Sequence, residues 1–129
     1  MKLTIEKEIP NHQFADLMVT ALEMPFGSWV GGYRWSDEAR AYVFNGKKEA
    51  FDKLPPDHML VTVRMEDVND ATAGHEHQLT LQKLCEALQK LVLSESYSEH
   101  AMRCINGEED VIDADALLQM AVYGEVVYG

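Results

Sequence analysis

The sequence has only two cysteines and no long hydrophobic run. Cys85 and Cys104 both lie on apolar stripes of predicted helices. We therefore expect buried free thiols rather than a disulfide, which would require an oxidising compartment. No apolar stretch approaches the roughly 20 residues that a membrane-spanning helix needs. The N-terminal residues interleave acids with bases and lack the apolar core of a signal peptide. These absences predict a single cytoplasmic domain over residues 1–129 with no membrane association.

Basic residues are also scarce, and their scarcity is uneven along the chain. The 129 residues contain 11 Lys and Arg against 22 Asp and Glu, a net charge of −11. Residues 1–64 carry eight bases and nine acids, whereas residues 65–129 carry three bases and thirteen acids. Phosphate contacts need clustered cations, so direct nucleic-acid binding by the second half is disfavoured. An acidic face suits a basic protein partner, although it also fits a merely solubilising role.

Common catalytic and cofactor motifs are absent as well. The Gly31-Gly32 pair belongs to neither a GxxxxGK[ST] loop nor a GxGxxG loop, and Ser28 lies in no GxSxG elbow. The acidic run around residues 108–115 lacks the DxDxDG pattern of a calcium loop. Neither cysteine has the sequence context of a nucleophile. We therefore expect a non-enzymatic protein without a cofactor.

The hydrophobic pattern places most strands early in the chain and most helices late. Alternation, or β-branched and aromatic residues, predicts strands over residues 2–9, 28–35, 41–44, 59–65 and 126–128. Helical spacing predicts helices over residues 11–23, 81–92, 96–105 and 114–123, and residues 47–58 form a loop or short helical turn. The expected helix caps are Asn11, Thr80 and Asp113. We expect a hairpin turn at Asn45-Gly46 and a polar loop over residues 66–78.

This order predicts an α+β fold in a single domain. We expect a small, mainly antiparallel sheet packed against three to four helices. The C-terminal helix and strand should dock in the core, because the chain ends in an apolar run.

An aromatic cluster surrounds the glycine pair. Trp29, Tyr33 and Trp35, together with Arg34, could stack on a nucleotide and thereby bind a small signalling ligand. Alternatively, the strand packs into the core, with the three aromatic residues on one face and Arg34 on the other. The glycines favour a tight turn or a bulge.

His75-Glu76-His77 contains the closest pair of histidines. Two residues apart on a strand, both rings could reach one metal ion, with Asp67 or Asp70 as a further ligand. The spacing matches no zinc signature, so we expect a solvated loop and no metal site. A metal-dependent enzyme built on His75 and His77 is the weaker alternative.

The two ends of the chain resemble a family of small phage and prophage proteins. Residues 15–23 (ADLMVTALE) followed by 27–29 (GSW) are similar to its opening, ADLLVTAIEGGSxYW, and residues 115–129 (DALLQMAVYGEVVYG) to its ending, GDVFLQxxLFGEVVYG. The resemblance implies a phage-borne accessory protein in the bacterial host cytoplasm. Small acidic proteins of this kind often block a host defence complex, as anti-CRISPR proteins do. We therefore expect Glu108, Glu109, Asp110 and Asp113 to form an acidic face that binds a basic host complex.

Overall fold

The computed structural model describes residues 8–23, 30–65 and 76–127. Six helices and three strands lie in these ranges. They are α1 (Asn11–Glu23), β1 (Val30–Trp35), α2 (Asp37–Asn45), α3 (Lys48–Asp52), β2 (Met59–Met65), β3 (Glu76–Thr80), α4 (Leu81–Leu93), α5 (Ser98–Asn106) and α6 (Val111–Tyr123). The chain therefore has the α+β fold that the sequence predicts, in one small domain with helices packed on the sheet. The additional helices, compared with the three to four expected, are the short α2 and α3.

The three strands form an antiparallel sheet in the order β1–β2–β3. The register shifts between Val30 and Gly32, so the glycine pair forms an irregularity of the bulge type. One face of the sheet is covered by the helices and carries Trp35, Val61, Val63 and Leu79, which are all buried in the core. The opposite face is polar.

α6 is the central helix of the core. Residues 113–120 are all buried, and the helix packs against α1, α4 and α5. A helix enclosed on all sides must be largely apolar, which explains its run of Ala, Leu and Met. Docking of the C-terminal helix is confirmed. Gly124 ends the helix with φ of 78°, a conformation that glycine adopts readily.

The predicted C-terminal strand is wrong for the residues of it that can be described. Val126 and Val127 belong to no strand, and Tyr128 lies outside the described ranges. Instead, the Val127 backbone N–H donates to Oε1 of Gln119 at 2.8 Å, and Val126 packs against the core. A side-chain amide of α6 thus takes the hydrogen bond that a neighbouring strand would have taken.

The prediction of a strand at residues 41–44, with a hairpin turn at Asn45-Gly46, is also wrong. These residues belong to α2, and Gly46 is its C-terminal cap with φ of 67°. The Ser36 hydroxyl accepts from the Ala39 N–H at 3.2 Å, and two acids occupy the first turn. These capping signals outweigh the strand preference of Tyr42 and its neighbours.

Three other boundaries differ from the sequence analysis. Residues 76–78 start β3 instead of continuing a polar loop, because β2 supplies backbone partners for them; residues 66–75 lie outside the described ranges. Of the predicted first strand, residues 2–7 likewise cannot be described, and Glu8 and Ile9 are in neither a helix nor a strand. Asn11 does not cap α1: its Nδ2 donates to the carbonyls of Phe51 and Leu54, both at 3.0 Å.

Candidate functional site

The acidic segment at residues 108–110 connects α5 to α6. Gly107 ends α5, and the Glu108 N–H donates back to the Arg103 carbonyl at 2.9 Å. Asp110 caps α6 by accepting from the Asp113 N–H at 3.0 Å. Glu108 and Asp110 are exposed, whereas Glu109 is half-buried. The segment is therefore a short ordered connection that holds exposed carboxylates beside α5.

Asp113 is not part of this exposed surface. It is the third residue of α6 rather than its cap, and its Oδ2 accepts from the Asp110 N–H at 3.1 Å, which completes a capping box. Its side chain is only 1% exposed. A partner could not reach this carboxylate without opening the junction. Two predictions about Asp113 are therefore wrong. Asp110, not Asp113, caps α6, and Asp113 is buried within the capping box rather than exposed for binding.

The Asp113 carboxylate is held by two side chains of α5. Arg103 donates to it through Nε and Nη2, at 2.8 and 2.9 Å, and His100 Nδ1 lies 2.5 Å from Oδ1. Burial by itself would raise the pKa of Asp113. The hydrogen bonds from Arg103, His100 and the Asp110 backbone outweigh that effect and lower the pKa to about 2. Asp113 is therefore a structural anion that joins α5 to α6.

Other carboxylates surround this pair. Asp110 and Glu99 lie close enough to Arg103 to raise its pKa, after the larger effect of the hydrogen bond to Asp113. Burial raises the pKa of Glu109, and the carboxylate of Asp16 on α1 raises it further. We use the name acidic surface for Asp16, Glu99, Glu108, Glu109 and Asp110. Arg103, which interacts with Asp110 and Glu99, is already bound to Asp113.

The acidic surface is suited to electrostatic attraction rather than to metal binding. Within the described ranges, no group of three or more His, Cys, Asp or Glu residues is arranged to hold a metal ion. The arrangement therefore offers fixed negative charge at a helix junction. Fixed charge of this kind attracts a basic surface at long range.

The aromatic segment divides between the two faces of the sheet. Trp35 is 7% exposed and lies in the core, with its ring edge-on to Tyr33 at a centroid distance of 5.8 Å. Arg34 points to the opposite, polar face, as strand alternation requires. Trp29 lies outside the described residues. A ligand could stack on Trp35 only if the Trp35 side chain left the core. The alternative prediction, that this residue packs into the core, is therefore confirmed for Trp35.

The histidine pair is only partly described. His75, Asp67 and Asp70 lie outside the described ranges, while His77 is a half-buried residue of β3 that pairs with Val63. The expectation of a solvated loop is therefore wrong for His77. Its strand position follows from pairing with β2, which a single polar segment does not reveal.

Both cysteines are free thiols, as predicted, and burial differs between them. Cys104 is fully buried and its Sγ donates to the Asp113 carbonyl at 3.7 Å. Burial raises the pKa of Cys104 to about 12 and also raises that of the half-buried Cys85. A thiol that stays protonated at neutral pH is a poor nucleophile.

The two residues that hold the Asp113 carboxylate are not among those predicted from the sequence. His100 and Arg103 are three apart on α5 and so share a face, and a buried aspartate on the next helix needs such partners. That spacing was the available signal. The spacing points to these partners only if Asp113 is known to be buried, and the sequence predicts an exposed Asp113.

The chain was compared with protein-family models, with curated proteins and with solved structures, and none of them matches it. The resemblance to the phage family therefore stays a prediction. In the part of the chain that the structure describes, no helix is both long and apolar enough to cross a membrane.

Proposed function

We propose that the protein acts without catalysis, by docking its acidic surface on a basic surface of a partner complex. The observation that carries this proposal is the concentration of exposed carboxylates at the α5–α6 junction. Residues 65–129 hold thirteen of the 22 acids but only three of the 11 bases. Of those three bases, Arg103 is bound to Asp113.

The arrangement favours a partner that normally binds nucleic acid. Such a partner presents clustered Lys and Arg, which an array of carboxylates can occupy in place of phosphates. Docking there would block the site without any chemical step. Charges at the rim of an interface act mainly on the association rate and on its dependence on salt.

The finer proposal is that the protein is a phage accessory protein and that its target is a host defence complex in the bacterial cytoplasm. The similarity of both chain ends to small phage and prophage proteins supports this proposal. The acidic composition supports it as well, because a blocking protein for a basic site needs no catalytic residues.

Affinity purification from a bacterial host, with mass spectrometry, tests the proposal. Glu99→Lys with Glu108→Lys reverses two exposed charges of the acidic surface and spares Asp110, the cap of α6. Glu49→Lys with Asp57→Lys makes the same change in net charge at exposed positions in the more balanced half. We expect one complex to be captured by the wild type and the control pair but lost with the first pair. Equal capture by all three proteins, or capture of no complex, would contradict the proposal.

A further inference from the structure

The polar face of the sheet brings two arginines together on neighbouring strands. Across β1 and β2, Arg34 pairs with Thr62 and Gly32 pairs with Arg64. Residues directly opposite each other in an antiparallel pair point to the same face. The two guanidinium groups therefore belong to diagonal neighbours, a spacing that long side chains can bridge. Both arginines are exposed.

The Arg64 side chain lies across β1 beside Gly32. Nη2 of Arg64 donates to the Gly31 carbonyl at 3.1 Å, so the guanidinium reaches across to β1. A Cβ atom at position 32 would be in ordinary van der Waals contact with the same Nη2 atom, at 3.5 Å, so the guanidinium lies directly beside this strand. The head group of Arg64 is thereby fixed beside the strand that carries Arg34.

The side chain of Arg34 makes no hydrogen bond or ion pair with any other residue of the described ranges. The guanidinium group of Arg34 is therefore available to bind an anion, and the neighbouring Arg64 places a second positive charge beside it. Glu76 on β3 pairs with Arg64 and places a carboxylate at the edge of the cluster.

A cleft of about 160 Å³ lies between these side chains. Its lining includes Gly32, Arg34, Thr62, Arg64 and Glu76. Thr62 is only 4% exposed, so its hydroxyl lies at the base of the cleft rather than at the rim. Pockets for whole drug-sized ligands measure roughly 300–1,000 Å³, so this cleft suits one oxyanion and the group attached to it.

We propose that this cleft binds the phosphate group of a small phosphate ester. Arg34 and Arg64 donate charge-assisted hydrogen bonds to the phosphate oxygens. The Thr62 hydroxyl, which donates to Met59 Sδ at 3.7 Å in the free protein, rotates to donate to a phosphate oxygen instead. Glu76 accepts a hydrogen bond from a hydroxyl of the ester, which favours sugar phosphates and nucleotides over esters without hydroxyl groups. The cleft is built from the sheet and shares no residue with the acidic surface, so either proposal can fail alone.

Titration of the wild-type protein in a phosphate-free buffer tests the proposal. The probes are inorganic phosphate, adenosine 5′-monophosphate and uncharged adenosine, followed by calorimetry and by amide chemical shifts. We expect both phosphates to bind and to shift the amides of Gly32 and Thr62, and adenosine not to bind. Binding of adenosine as tight as that of its monophosphate would overturn the proposal, as would shifts confined to other parts of the chain.

Matched variants separate the cleft from general attraction of anions. Arg34→Gln should weaken the binding of the monophosphate about tenfold, the loss expected for one charge-assisted hydrogen bond. Arg40→Gln removes the same charge from an exposed position of α2 and should leave binding unchanged. Equal weakening by both variants would overturn the proposal. Affinity for single-stranded oligonucleotides that rises with their length would instead indicate a nucleic-acid surface and would also overturn it.

Discussion

Asp113 and Arg103 form a bidentate ion pair that joins α6 to α5. Nε of Arg103 lies 2.8 Å from Oδ2 and Nη2 lies 2.9 Å from Oδ1. The aspartate is buried, whereas the arginine is 41% exposed. The pair keeps the charge of Asp113 out of the acidic surface and fixes the connection that carries Glu108, Glu109 and Asp110. The position of Glu108 therefore depends on a residue that is itself buried.

Asp113→Asn should destabilise the protein by about 2 kcal/mol, because a buried network loses its anion and Arg103 loses its partner. Urea unfolding measures the change in the free energy of unfolding. Glu108→Asn, three residues before the α6 helix, is the control and should change stability by less than about 0.5 kcal/mol. Equal stability of the two variants would show that the ion pair contributes nothing.

The same pair predicts a loss of stability in acid. The pKa of Asp113 is about 2 in the folded protein and 3.8 for the unperturbed group. A lowered folded pKa gives stability that is present above pH 4 and disappears as the pH falls towards 2, an effect on the order of 2 kcal/mol. Urea unfolding at pH 7, 4 and about 2.5 should show this loss in the wild type. Asp113→Asn should lose less over the same interval, and an identical pH dependence would refute the assignment.

Leu118→Asp should unfold or aggregate the protein. Leu118 is completely buried in α6, where an unpaired charge has no polar partner. The milder Leu118→Ala should fold and lose about 3 kcal/mol, the typical cost of a cavity of this kind. Circular dichroism with thermal melting distinguishes the two results. A cooperative wild-type melt for Leu118→Asp would disprove the central position of α6.

Cys104 should resist alkylation in the native state. Burial raises its pKa to about 12, so thiolate is scarce at neutral pH and the sulfur is inaccessible. Mass spectrometry after iodoacetamide treatment should find Cys104 modified only in denatured protein, with half-buried Cys85 modified first under native conditions. Rapid native labelling of Cys104 would mean that the α5–α6 junction opens readily.

The sequence predicts those elements whose local signals agree with their packing. Thr80 caps α4 as expected, and β2 follows its alternating pattern. Tyr42 and its neighbours have a local preference for a strand. They nevertheless form helix α2, whose N-terminus is capped by Ser36. The sequence places His77 in a loop because its segment is polar, whereas the structure places it in β3, where backbone pairing with β2 stabilises the strand.

The candidate surfaces depend even more on tertiary contacts. Glu108 was found from charge alone, whereas the burial of Asp113 follows from a pair of residues on another helix. Arg34 was recognised within an aromatic segment, but its neighbour Arg64 is thirty positions away and reaches it only through strand pairing. Composition thus indicates the sign of the charge on a surface, and the fold determines which residues form that surface.

The central claim is that the acidic surface docks on a basic partner, and the association rate with the captured complex tests it most directly. It should be measured from about 50 to about 200 mM salt for the wild type, for Glu99→Lys with Glu108→Lys, and for the Glu49→Lys with Asp57→Lys control. We expect the wild-type and control rates to fall steeply with salt, and the rate of the acidic-surface variant to be low and nearly flat. Identical rates and identical salt dependence for all three proteins would contradict the account.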